Sequence, residues 1–158
     1  MKQYLPMLIL AAPLWATEAN VETAFRKLYN FDFAGSQAEA RSYSARQPND
    51  PLGHATLAAA YLFSEMNRLQ VFSKDMFEEE KVAGEQAKRI GQEAKAGFEE
   101  ALRKTKTTAE AALGRNGKDT NALLALVIAT GAERDFAALV EKRLKDSYYA
   151  AKASQEYA

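Results

Sequence analysis

The stretch Pro48-Asn49-Asp50-Pro51-Leu52-Gly53-His54-Ala55-Thr56-Leu57-Ala58-Ala59-Ala60-Tyr61-Leu62-Phe63 settles the fold class. Pro48 cannot continue a helix, because its ring removes a backbone donor and clashes with the preceding turn. Asp50 offers a capping carboxylate, and Pro51 suits the first position of a new helix. One helix therefore ends before Pro48, and another runs from about Pro51 to Arg68. In that helix Leu57, Ala58, Tyr61, Leu62 and Glu65 follow at steps of three and four, the spacing of a helix face. Leu52, Ala55, Ala59, Phe63 and Met66 widen the apolar surface well past one stripe. A helix that is apolar most of the way round needs neighbours on several sides, which makes this one the expected centre of the core.

Upstream, Asn20 is placed to cap a helix reaching about Asn30, with Val21, Ala24, Phe25 and Leu28 on one side. After a short break a second helix is expected over Phe33 to Arg46. Downstream, Ser73 to Gly114 is charged and nearly continuous in helical pattern. Ser73 is expected to cap a piece carrying Met76 and Phe77, with a break at Gly84. Ala87, Ile90, Ala94, Phe98, Ala101, Thr105, Ala109 and Ala112 then form a narrow, alanine-rich stripe. Such a stripe implies close packing on another helix of the chain, with a coiled-coil seam as the rival reading. Gly114-Arg115-Asn116-Gly117 is expected to end this helix with a left-handed glycine. Asp119 caps the next helix, whose face includes Leu123, Leu124, Leu126, Val127 and Ile128, and Gly131 is expected to close it. Asp135-Phe136 then opens a final helix through Leu139, Val140 and Leu144. The helical pattern reaches Ala158 without a capping residue, so its apolar face is tucked back, covered by a partner, or continued in a longer chain.

With 158 residues, 47% apolar and 27% charged, the chain has the length and composition of one globular domain. Alanine is abundant while proline and glycine are scarce, which favours helix. The formal net charge is zero, so no basic stripe exists to neutralise phosphates, and nucleic acid is not expected as a partner. Cysteine is absent, which excludes disulfides, thiolate metal sites, cysteine nucleophiles and lipid attachment through an N-terminal cysteine. The N-terminus has the three parts of a secretory leader: Lys2, an apolar run from Tyr4 to Trp15, and the small residue Ala16. Pro6 and Pro13 interrupt the run, and it is shorter than the roughly 20 residues that cross a bilayer as helix. We therefore expect residues 1–16 to be a signal peptide, with Ala19 as a second cleavage position, and 17–158 to be a periplasmic or secreted domain with no membrane span.

Internal repetition is visible. Pro48-Asn49-Asp50 precedes Leu57-Ala58 as Gly117-Lys118-Asp119 precedes Leu126-Val127, at a uniform offset of 69 residues. Asp32-Phe33-Ala34 recurs as Asp135-Phe136-Ala137 at an offset of 103. These are close to two and three periods of about 34 residues, and Asn20 to Tyr61 resembles a tetratricopeptide repeat (TPR) followed by the first helix of the next. Phe33 stands where that family has an aromatic at the start of its second helix, and Pro48 at its closing proline. Leu57, Ala58 and Tyr61 match the large, small, aromatic signature of a first helix. The first repeat departs from it, with Thr23, Ala24 and Lys27 in those positions, and Gln70 to Gly114 fits no clean repeat. The resemblance implies an all-α fold of stacked antiparallel helix hairpins, a TPR-like right-handed superhelix, as a short array with one long irregular helix.

Catalytic chemistry is not in evidence. His54 is the single histidine, and no zinc-binding histidine pair, nucleophile elbow or phosphate-cradling glycine loop is present. Glu78-Glu79-Glu80 and Glu99-Glu100 read as solvated faces. Glu65, one turn beyond Tyr61, is placed to pair with Arg68. Tyr148, Tyr149 and Tyr157 suit packing or a docking patch. We expect no enzyme activity and no cofactor or metal. In TPR-like arrays the concave face comes from the first helix of each pair, which here implies a partner-binding groove of Leu52, Ala55, Ala59, Leu62, Phe63, Leu124 and Ile128. Such a groove suits a protein or peptide partner with an apolar or amphipathic segment. The alternatives are that these residues are core, or that the chain is a structural, self-associating subunit forming a homo-oligomer.

Overall fold

A computed structural model describes residues 20–71 and 90–141, and among them every regular element is helical. Five helices pack together: α1 (Val21–Tyr29), α2 (Phe33–Arg46), α3 (Leu52–Arg68), α4 (Gln92–Arg115) and α5 (Thr120–Asp135), with a π-helical turn at Phe136–Val140. The expected leader, the piece around Met76 and Phe77, Gly84, Leu144 and the C-terminal tyrosines lie outside the described residues.

The helix starts follow the local chemistry. Asn20 Oδ1 accepts the Thr23 N–H at 2.6 Å, Asp32 Oδ1 that of Gly35 at 2.9 Å, and Asp119 Oδ1 that of Ala122 at 2.9 Å. Each satisfies a backbone donor that the first helical turn leaves without a partner. Asp50 does the same for Leu52 N–H at 2.9 Å, and Pro51 is already helical at φ −71°. Asp50 also accepts from Tyr43 Oη at 2.7 Å and from Asn121 Nδ2 at 3.0 Å, so one carboxylate joins α2, α3 and α5.

Two helix ends use a left-handed residue that is not glycine. Phe31 (φ 60°) follows α1 and Gln70 (φ 54°) follows α3. At the first, Asp32 N–H reaches Lys27 C=O and Phe31 N–H reaches Leu28 C=O; at the second, Val71 reaches Met66 and Gln70 reaches Asn67. This is the paired hydrogen bonding of the Schellman motif, and at the second its apolar clasp is present, since Met66 and Val71 share one buried cluster.

α3 is the hub. It packs against α1, α2, α4, α5 and the π-helical turn. Ala55, Ala58 and Ala60 are fully buried, so neighbouring backbones approach closely on several sides. The largest cluster joins Leu62, Met66 and Leu69 to Ile90, Phe98 and Leu102, and to Phe136 and Val140 beyond α5. The rings of Phe98 and Phe136 stack 4.2 Å apart at 13°. The stripe expected on α4 is found from Phe98 onward, while Ile90 precedes the helix, Ala94 is half-buried and Ala87 lies outside the described residues. Phe98, Ala101, Thr105, Ala109 and Ala112 are buried, and α4 lies on α3 and α5 of the same chain, so the coiled-coil reading is not needed.

Three expectations fail. Gly131 does not close α5, and Asp135-Phe136 does not open a new helix. The chain runs without a break from Thr120 through Asp135 into the π-helical turn, where Glu141 N–H bonds Phe136 C=O at 2.9 Å. The continuous buried series Ala125, Ala129, Ala132, Phe136, Val140 explains this, because packing along it outweighs the roughly 1 kcal/mol that an interior glycine costs. The match of Asp135-Phe136 to Asp32-Phe33 is thus one of letters. Asp32 caps a helix, while the Asp135 carboxylate pairs with Arg134 at 2.7 Å. Third, α4 ends at Arg115 with Asn116 extended at φ −144°, and no described glycine has positive φ, so no left-handed glycine caps it.

Candidate functional site

Four of the seven expected groove residues are core. Leu52 is 9% exposed, Ala55 0%, Ala59 5% and Leu62 2%. The reason is the one that made α3 central: helices pack over most of its circumference, leaving little of its apolar surface open. Phe63, at 42%, and Leu124, at 48%, remain exposed, and Ile128 is half-buried. These three are disposed in order. Ile128 packs against Leu28, Ala59 and Ala60 on one side and Leu52 and Ala55 on the other. Phe63 stands one turn beyond Ala59, and Leu124 one turn before Ile128. α3 thus meets both α1 and α5, with Phe63 and Leu124 exposed and with buried Ala55 and Ala59, which the resemblance had placed in the groove, packed beneath. Tyr29 and Phe31, 77% and 73% exposed, add aromatic surface at the end of α1.

A different concavity opens where α2 and α4 flank α3. This cleft, ≈ 440 Å³, is lined by Arg41 of α2, by His54, Leu57 and Tyr61 of α3, and by Ala101 and Lys104 of α4. Arg41 donates to Tyr61 Oη at 2.6 Å and to Gln37 Oε1 at 3.5 Å, and its guanidinium carbon lies 5.7 Å from the Tyr61 ring centre. Gly97 lets the phenol lie against α4: a Cβ there would stand 2.3 Å from Tyr61 Cζ. Glu100 also borders the cleft, but Arg103 grips it through two hydrogen bonds of 2.7 Å. Those bonds, with Lys104 at 3.4 Å, hold its carboxyl down to about 2. His54 is half-buried. Burial, then the nearby Lys104 ammonium, lower its imidazole below the usual value, and Glu100 acts in the other direction.

Spacing foresaw the Glu65–Arg68 pair. The Glu65 side chain is 3% exposed, accepts from Arg68 Nε at 2.9 Å and from Arg68 Nη2, and also accepts Gly91 N–H at 2.9 Å. Burial opposes its charge, but the bonds from Arg68 and Gly91 outweigh this and hold its carboxyl below the usual range. The link to Gly91, which fastens the start of α4 to the end of α3, had no signal in the sequence. Glu99 and Glu100 are exposed. Arg41, Gly97 and Lys104 were missed as a group. The one available signal was Gly97, a glycine inside an alanine-rich helix where alanine would be the stronger helix former.

Among the described residues no three His, Asp or Glu side chains converge as metal ligands, and no helix is long and apolar enough to cross a membrane. Comparison of the chain with known protein families, with curated proteins and with solved structures returns no match.

Proposed function

We propose that this protein is an exported, TPR-like scaffold that holds an apolar or amphipathic segment of a protein partner along the α1–α3–α5 seam. The supporting observation is the packing order. α1 and α3 touch, α3 and α5 touch, each helix also packs on the next in sequence, and α2 and α4 meet α3 across a separate cleft. Stacked hairpins pack in this way, with first helices side by side on one face. In this reading α1–α2 and α3–α4 are pairs, α5 is the first helix of a third, and the stack turns as a right-handed superhelix. Phe63, Leu124 and the half-buried Ile128 supply contact area, and Leu52, Ala55, Ala59 and Leu62 hold the floor in place. Residues 1–16 direct export to the periplasm or outside the cell, with cleavage near Ala16 or Ala19. The chemistry assigned is binding, with no catalysis and no cofactor.

Paired substitution at the rim tests this. Leader-free protein immobilised for capture from an envelope extract is expected to retain a partner. Phe63→Ser with Leu124→Ser is expected to lose it while keeping the wild-type circular dichroism and unfolding midpoint, because both side chains are exposed. Retention of the same partner by the folded double variant refutes the seam as the contact surface.

The second reading is a self-associating structural subunit, and the same exposed rim motivates it. Sedimentation across a concentration series separates the two: a strictly monomeric protein removes self-association, and a dimer lost in the double variant replaces the foreign partner with a second copy.

A further inference from the structure

We propose that the α2–α3–α4 cleft binds a small organic anion, a carboxylate or phosphate monoester carried on a compact apolar body, with Arg41 and Lys104 holding the charge and Leu57, Tyr61 and Ala101 covering the body. The inference is independent of the seam, which α3 presents on another side.

The size is right. The cleft measures ≈ 440 Å³, within the usual range for pockets that enclose small molecules. So is the lining, an apolar floor with a few convergent polar groups. The charge argument is more specific. Arg41 directs Nη2 to a phenol and an amide, and among the described residues no carboxylate pairs with it. A guanidinium is a planar fork matched to a carboxylate or phosphate, and one resting on neutral acceptors keeps its strongest interaction in reserve. The acid bordering the cleft does not cancel this charge. Glu100 gives both oxygens to Arg103, and its distance to Lys104 is the longer 3.4 Å. Lys104 and Arg41 therefore line the cleft together with one carboxylate that Arg103 already engages.

Gly97 makes the shape possible. It brings the Tyr61 ring against the α4 backbone, which sets the phenol as a flat wall while its hydroxyl holds Arg41 at the mouth. An aromatic or short aliphatic body slides along that wall with its anion at Arg41 and Lys104.

The experiment is an amide NMR titration of the leader-free chain with benzoate and, separately, with phenyl phosphate, at constant ionic strength. Benzamide, which has the ring without the charge, is the control. Expected are saturable shifts centred on Tyr61, Gly97, Ala101 and Lys104 with at least one of the two anions, and none with benzamide at the same concentration. Arg41→Gln with Lys104→Gln is expected to weaken binding by about tenfold or more, as loss of charge-assisted hydrogen bonds implies, while leaving the remaining spectrum in place. Lys104→Glu alone gives the same direction with only one exposed residue changed. Absence of saturable shifts with both anions overturns the proposal. So does equal binding of benzamide, or undiminished affinity in the folded variants.

Discussion

Removing the Glu65 carboxylate tests the joint between α3 and α4. Its side chain is 3% exposed and accepts three hydrogen bonds, two from Arg68 and one from Gly91 N–H. Breaking a buried ion pair by deleting one partner costs about 3–5 kcal/mol when the other charge is left buried. Arg68 is 49% exposed and regains water, so the cost here is smaller. Adding about 1 kcal/mol for the helix-start donor at Gly91 gives about 2–3 kcal/mol for Glu65→Ala, and roughly half that for Glu65→Gln, which keeps an acceptor oxygen. With a urea slope of about 2 kcal/mol per molar for a chain of this size, the Glu65→Ala midpoint falls by about 1–1.5 M. The pH dependence has a definite sign. The folded carboxyl titrates below its unfolded value of 4.5, so the stabilisation is whole above that value and is lost as pH falls through the folded value. The wild-type advantage over Glu65→Gln must therefore narrow in acid. A Glu65→Gln midpoint equal to wild type at neutral pH, or a gap constant through the acid range, refutes this account.

Asp50→Ala removes one carboxylate from three partners and is expected to cost about 2–3 kcal/mol by urea unfolding. In wild type, burial followed by the bond to Asp50 pushes the Tyr43 phenol up to about 12, so its contribution to stability is intact below pH 10 and is lost between pH 10 and 12. Spectrophotometric titration of Asp50→Ala should show Tyr43 ionising earlier. Gln70→Gly relieves a left-handed residue in an exposed position, and a thermal midpoint higher by about 2–4 °C is expected; a lower midpoint contradicts the strain. Gly131→Ala is expected to stabilise by about 0.5–1 kcal/mol in chemical unfolding, since the glycine sits inside α5 with nothing within 4 Å of where a Cβ would stand. Ser36→Ala removes a buried hydroxyl that has no hydrogen-bond partner among the described residues, and a gain of about 1 kcal/mol is expected by the same measurement.

What the sequence made legible was local. The bounds of α2 follow from Asp32 and Pro48, the start of α5 from Asp119, and the Glu65–Arg68 pair from a three-residue step on one helix. What it hid was relational. Leu62 and Phe63 are adjacent and both apolar, yet one is core and the other exposed, because the difference lies in which neighbour covers each side of α3. Gly131 looked like a stop, since its cost is visible in the letters while the Phe98–Phe136 stack that carries α5 past it is not. The cleft draws residues from positions 41, 54, 61, 97 and 104 on three helices, and no spacing rule joins them.

The place of α3 bears on how the molecule comes apart. A row of hairpins in which each touches only the next can peel from either end, one unit at a time. Here four helices lean on a single rod, and losing its order strips the interior from all of them together. Among the described residues α1 is the shortest α-helix, nine residues long, and it packs chiefly on α2 and α3, so it is the one free to detach first. Deuterium uptake should therefore show early exchange along Val21–Tyr29, and one shared, slow rate for the amides of α3, α4 and α5.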